Sequence, residues 1–129
     1  MPPIERVILV DDNDLDNTYH SIVLKKAGFA GELVVLESGV QLIDFLQKGP
    51  PSKPTLLFVD INMPLLNGFE TVSKLEALSL LSADLQVHIL SSSDAAEDLQ
   101  MARSLPAVRS YLVKPLNVAD AKRLLTASG

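Results

Sequence analysis

The sequence predicts an α/β fold: five β–α units forming a parallel sheet with helices on both of its faces. Two observations carry this. Five short apolar runs recur along the chain, several of them continuously apolar and rich in Val, Leu and Ile, as strands covered on both faces are. Between the runs lie segments whose apolar residues recur at helical spacing. Such alternation implies right-handed crossovers between parallel strands.

The first run is "RVILV" (6–10), and Leu15, Tyr19, Ile22 and Val23 form the apolar stripe of the helix after it. The second is "ELVVL" (32–36), followed by a stripe of Val40, Ile43 and Leu46. "GPPSKP" (49–54) reads as a loop into the third run, "TLLFVDI" (55–61), whose helix carries Phe69, Val72 and Leu75. After "LQVHIL" (85–90), "DAAE" offers Asp94 as a helix cap with Glu97 reaching back, and the helix continues through Leu99 and Ala102. "SYLV" (110–113) is the last strand; Val118, Ala121 and Leu125 mark the last helix.

With 129 residues, 47% of them apolar and 21% charged, the chain suits one domain, residues 1–129, with a buried core. A net charge of −5 argues against an electrostatic grip on nucleic acid or on an anionic membrane. No apolar stretch approaches the ~20 residues of a membrane helix, and "MPPIER" lacks a signal-peptide pattern. The absence of cysteine excludes a disulfide framework, a thiolate zinc site and a thiol nucleophile, and fits a cytoplasmic protein.

In an open sheet of this kind ligands bind at the carboxyl ends of the strands, so the polar residues there carry the function. Asp11 and Asp12 follow the first strand, the third carries Asp60, the fourth ends in Ser91, Ser92 and Ser93, and the fifth in Lys114. Three carboxylates, a hydroxyl cluster and an ammonium are expected to converge on one rim. The dense acidic segment "VDDNDLDN" (10–17) invites a calcium-loop reading from Asp12. Asn17, however, stands where the loop's turn needs Gly, Val23 where a bidentate Glu belongs, and a strand precedes instead of a helix. The cluster divides instead. Asn13 or Asp14 starts the helix, with Asp16 favoured by its dipole, while Asp11 and Asp12 suit a hard cation such as Mg²⁺. Without a cation, two adjacent carboxylates would raise each other's pKa.

The segments "ILVDDN", "LLFVDINMPLLNGFE", "ILSSS" and "YLVKPL" resemble, in order and spacing, the receiver domain of two-component response regulators, of the CheY-like, single-domain type. The resemblance covers essentially the whole chain, and "DINMPLLNG" is its most specific block. It implies a flavodoxin-like, doubly wound (βα)5 sheet with strand order 2-1-3-4-5. It further implies that Asp60 is a phosphoacceptor, taking a phosphoryl group from a sensor histidine kinase or a histidine phosphotransfer protein. An ordinary aspartate pKa of about 3.9 would keep Asp60 ionised at neutral pH without a general base.

On the same resemblance, Asp12, Asp60 and the backbone carbonyl of Asn62 would ligate Mg²⁺, and Asp11 would act mainly through metal-bound water. Lys114 would supply a compact positive charge to the acyl phosphate. The bond before Pro115 is expected to be cis and to aim Lys114 inward. Ser91 stands where the family has Thr or Ser, and Tyr111 where it has an aromatic. These two are expected to couple phosphorylation to partner binding. Asn62 and Ser93 flank the site where the family tunes acyl-phosphate lifetime, and as small uncharged residues they point to minutes rather than days. The implied role is regulatory, not enzymatic, although the domain would assist its own phosphorylation and dephosphorylation.

Plainer readings exist for several residues. Gly68 and Pro64 read as turn punctuation, Ser91, Ser92 and Ser93 as loop, Tyr111 as half-buried packing, and His20 and His88 as ordinary helix and strand residues. The chain stops soon after its fifth helix, which implies a stand-alone receiver acting through protein contacts, or one excised from something longer. Its downstream target and any dimer formed on phosphorylation are left open. Two rivals remain: an Mg²⁺-dependent phosphatase of the haloacid dehalogenase type with Asp12 as nucleophile, and a phosphorylation-independent pseudo-receiver module.

Overall fold

Strand and helix alternate throughout the structure, a computed structural model that describes residues 3–49 and 52–126. The order is β1 (Arg6–Val10), α1 (Asp14–Lys26), β2 (Glu32–Leu36), α2 (Gly39–Lys48), β3 (Thr55–Val59), α3 (Gly68–Ala77), β4 (Leu85–Ser91), α4 (Ala96–Arg103), β5 (Val108–Val113) and α5 (Val118–Thr126). Every strand pair is parallel, in the order β2-β1-β3-β4-β5, as the resemblance implied. Residues 50 and 51 of the "GPPSKP" loop lie outside the described residues.

The continuously apolar strands alternate their side chains between two cores. Ile8 and Val10 of β1 join Leu57 and Val59 of β3 and Val87 and Ile89 of β4 beneath α2, α3 and α4. Val7 and Leu9 join Leu56, Phe58 and Leu90 beneath α1 and α5. The edge strands β2 and β5 are only partly covered. A bulge in β5 lets Val87 pair with Val108 but His88 with Ser110. The extra residue, Arg109, shifts the alternation, so Tyr111 falls beside Ile89 on the α4 side.

Three boundaries differ from the apolar runs. β3 ends at Val59, so Asp60 stands just beyond the strand; β4 runs on to Ser91; and β5 begins at Val108. The first helix differs in phase. Leu15, Tyr19 and Ile22 are 81%, 49% and 48% exposed, whereas Asn17, His20, Val23 and Leu24 are buried. Two polar residues can take the inner face because each has a partner there. Asn17 Nδ2 donates to the Asp11 carbonyl, and His20 Nε2 accepts from the Leu116 N–H. In α2, Leu42 and Leu46 face inward and Val40 is exposed. The α3 stripe of Phe69, Val72 and Leu75 is buried as expected.

Asp94 does not cap α4. The cap residue is Ala95, and it is the Ser93 hydroxyl that accepts from the Ala95 N–H and donates to Asp98. Among the described residues no helix is long and apolar enough to cross a membrane.

Candidate functional site

The site begins with strand register. Val10 of β1 lies opposite Val59 of β3, so Asp11 and Asp60 leave the sheet side by side, and the Asp60 N–H donates to the Val10 carbonyl at 3.0 Å. Both side chains are buried. Each gives one oxygen to a nearby backbone N–H: Asp11 Oδ1 accepts from Asn13 at 2.9 Å, and Asp60 Oδ1 from Ile61 at 2.8 Å. The second oxygens point to a common neighbour. Lys114 Nζ lies 2.6 Å from Asp11 Oδ2 and 3.5 Å from Asp60 Oδ2.

Lys114 reaches this point because β5 is pinned beside β4. Val113 pairs with Ser91, and the Lys114 N–H donates to the Ser91 carbonyl at 2.8 Å. The Lys114–Pro115 peptide is cis. Asp12 is exposed, yet its carboxylate joins the others: Asp11, Asp12 and Asp60 each place an oxygen within 4.8 Å of the other two. The three carboxylates carry more negative charge than the one ammonium, in contact with Asp11 and Asp60, can offset. The donors are all hard oxygens, a set that fits Mg²⁺ and not a softer metal.

The Asp60 carboxyl does not keep the ordinary pKa expected of it. Burial pushes it up to about 6; the Lys114 charge and the Ile61 N–H oppose the rise, and Asp11 adds to it. It remains mainly ionised at neutral pH. Burial alone would lower Lys114, but its bonds to Asp11 and Asp16 and the charge of Asp60 outweigh this, and it is held above the ordinary lysine range. His20, behind the site, is lowered by burial and by Lys114.

The loop after Asp60 turns tightly back onto it. The Met63 and Gly68 N–H groups both donate to the Ile61 carbonyl, and exposed Leu65 sits at φ 70°, a left-handed conformation that disfavours leucine. Asn67 and Glu70 form a capping box at the start of α3. Gly68 is more than turn punctuation, because a Cβ there would collide with the Asp60 carbonyl oxygen. Asn62 is exposed in this loop.

On the opposite side, Ser91 is fully buried and its hydroxyl accepts from the Ser93 N–H at 3.2 Å. Half-buried Tyr111 donates its hydroxyl to the Ser93 carbonyl at 2.7 Å. Both residues therefore hold the same short segment after β4. Asp16, read from sequence as a helix-dipole residue, also enters the site: its Oδ2 lies 2.8 Å from Lys114 Nζ. No local pattern signals a contact across 98 residues.

The sequence matches the family described as "Response regulator receiver domain" over residues 7–126. Over 91% of its length the chain is 32% identical to the Probable methanogenesis regulatory protein FilR2 of Methanothrix harundinacea, covering 76% of that protein. With rice Two-component response regulator ORR1 it shares 27% identity over 97% of the chain but spans only 55% of that relative. A crystal structure of a two-component response regulator from Cytophaga hutchinsonii superposes with a TM-score of 0.87 at 25% identity, covering 98% of each chain. The Mn²⁺-bound form of response regulator Rcp1 superposes with a TM-score of 0.73 at 26% identity, covering 98% of this chain and 91% of that one.

Proposed function

The chain belongs to the response regulator receiver domain family, and from that premise we propose that Asp60 accepts a phosphoryl group from a phosphohistidine donor. Receivers of this family are regulatory domains that interact with histidine kinases and phosphotransfer proteins. The observation that carries the proposal is the meeting of buried Asp60 with Asp11, Asp12 and Lys114 at the carboxyl rim.

In the proposed transfer an Asp60 carboxylate oxygen attacks phosphorus in line with the departing imidazole. A P–O bond forms as the P–N bond breaks, and the imidazole nitrogen keeps the bonding pair. With Asp60 already mainly ionised, no proton has to be removed from the nucleophile. Asp12, Asp60 and the Asn62 backbone carbonyl would hold Mg²⁺ directly, with Asp11 acting through its water. The ion would offset charge on the phosphoryl oxygens. The Mn²⁺-bound form of the similar Rcp1 supports a divalent ion here. Lys114 faces the position the phosphoryl group would take and would bond one of its oxygens.

The new charge becomes a signal through the segment that Ser91 and Tyr111 share. A Ser91 hydroxyl drawn to a phosphoryl oxygen would leave the Ser93 N–H, and Tyr111, bonded to the Ser93 carbonyl, would move inward with it. The surface formed by α4, β5 and α5 would then change its affinity for a downstream protein. Asn62 and Ser93, small and uncharged, leave water a route to the acyl phosphate.

Neither rival is favoured. The family match extends over residues 7–126 and not only the Asp12–Asp14 segment that a dehalogenase-type phosphatase would use, and a phosphorylation-independent module would have no use for the Asp11, Asp12, Asp60 and Lys114 set. Incubation with acetyl phosphate and Mg²⁺ tests the proposal. Intact mass should rise by one phosphoryl group in the wild type and not in Asp60→Asn. Label on Asp12 with Asp60 unmarked would overturn it.

A further inference from the structure

We infer that Asp16 is a positioning residue that holds Lys114 back from Asp60 and so opposes formation of the acyl phosphate. The inference rests on the phosphoacceptor reading and deepens it with a residue that reading does not use.

Lys114 has three N–H donors and three carboxylates around it. Asp11 and Asp16 stand at 2.6 and 2.8 Å, short charge-assisted bonds, while Asp60 stands at 3.5 Å, beyond one. The ammonium is thus shared between two residues that do not carry the phosphate. Asp16 is also outside the trio that could hold the cation, so its charge acts on Lys114 and not as a ligand.

Phosphorylation replaces one carboxylate charge at Asp60 with a phosphoryl dianion. To bond it closely, Lys114 must loosen one of its present partners. The Asp11 side chain is only 7% exposed and would be left as a buried, unpaired anion. Asp16 is 38% exposed and lies in the first turn of α1, where solvent and the helix dipole sustain a free carboxylate. Asp16 is therefore the partner that lets go, and until it does it competes with the phosphoryl group for the lysine. Its backbone duty is separate: the Asp16 N–H donates to the capping Asn13 side chain, a bond that side-chain substitution leaves intact.

Beryllofluoride, a phosphoryl stand-in, tests this by calorimetric titration in Mg²⁺ of the wild type, Asp16→Asn, Lys114→Gln and the double variant. Asp16→Asn should bind beryllofluoride roughly three- to fivefold more tightly, the upper end of the scale for a partly exposed charge pair. In the Lys114→Gln background the same change should do less than about twofold, since interacting residues are non-additive. Mg²⁺ affinity measured without beryllofluoride should not rise. Asp16→Ser, equally at home in a first helical turn, should reproduce the gain and carries the test if Asp16→Asn folds poorly. Unchanged or weaker beryllofluoride binding, or a gain that persists without Lys114, would overturn the role of Asp16 alone. A wild type with no Mg²⁺-dependent beryllofluoride binding would overturn the phosphoacceptor reading and this inference with it.

Discussion

Lys114 donates to Asp11 at 2.6 Å, tying the end of β5 to the end of β1 across the rim above β3 and β4. Both side chains are largely buried, so removing either partner leaves the other as a buried charge with one ion pair fewer. Replacing Lys114 with Met should cost about 3–5 kcal/mol in urea unfolding with chelator present. Added Mg²⁺ should return part of that loss, because a divalent cation substitutes for the missing charge. Equal midpoints for variant and wild type in chelator would show that the pair contributes no net stability.

Asp60 gives the opposite sign. Its folded-state pKa is raised to about 6, mainly by burial. Below the unfolded value of about 3.9 the folded protein carries no penalty from it; the penalty grows as pH rises through 6. Asp60→Asn should therefore stabilise the metal-free protein at pH 7.5 by roughly 1–3 kcal/mol, with the difference vanishing near pH 4. Mg²⁺ should narrow it. Denaturation curves across pH, with and without Mg²⁺, measure this directly.

His88 supplies an acid limit to stability. It is buried against Phe58, bonded to Ser110 through Nδ1, and its Nε2 has no partner among the described residues. Burial first, then the charges of Arg109 and Arg123, lower it to about 4. A lowered histidine contributes stability above its unfolded value near 6.5 and loses it as pH falls toward 4. The loss between these limits should be on the order of 3 kcal/mol. His88→Asn should flatten that slope, even if its midpoint at pH 7.5 is lower.

Gly68→Ala should be harmful although a helix start ordinarily welcomes alanine. The added methyl meets the Asp60 carbonyl, which is backbone and cannot swing aside. The expected cost is about 1–3 kcal/mol, the range of overpacking, with weaker Mg²⁺ binding because Asp60 is displaced. Unchanged affinity by calorimetry would show that the loop absorbs the methyl without moving the carboxylate.

Much of the molecule is legible in its sequence for a simple reason. A strand covered on both faces must be apolar throughout, so each run marks a strand and each following polar residue marks the rim. Asp11, Asp12, Asp60 and Lys114 could be gathered that way before any contact was known. The first helix misled because apolar spacing assumes that polar residues face water. Asn17 and His20 turn inward to satisfy the Asp11 carbonyl and the Leu116 N–H, which leaves Leu15, Tyr19 and Ile22 outside. α4 starts from Ala95 with no side-chain cap, and Ser93, not Asp94, bonds the Ala95 N–H and Asp98, a choice between adjacent side chains that propensity does not separate. The raised Asp60 pKa and the Asp16–Lys114 contact depend on burial and on distant chain segments, which no local window contains.

The in-register pairing of β1 with β3 works like the teeth of a gear. Because inward and outward side chains alternate, β3 cannot slip by one tooth without turning its core face to the wrong side, and the next permitted step is two residues, about 6.6 Å. A shift that large would carry Asp60 out of reach of Asp11, so the rim tolerates no gradual misalignment. Damage at the far end of β3, where Thr55 is anchored by Arg6 and by the Asp84 carbonyl, should leave the pocket geometry whole or abolish it outright.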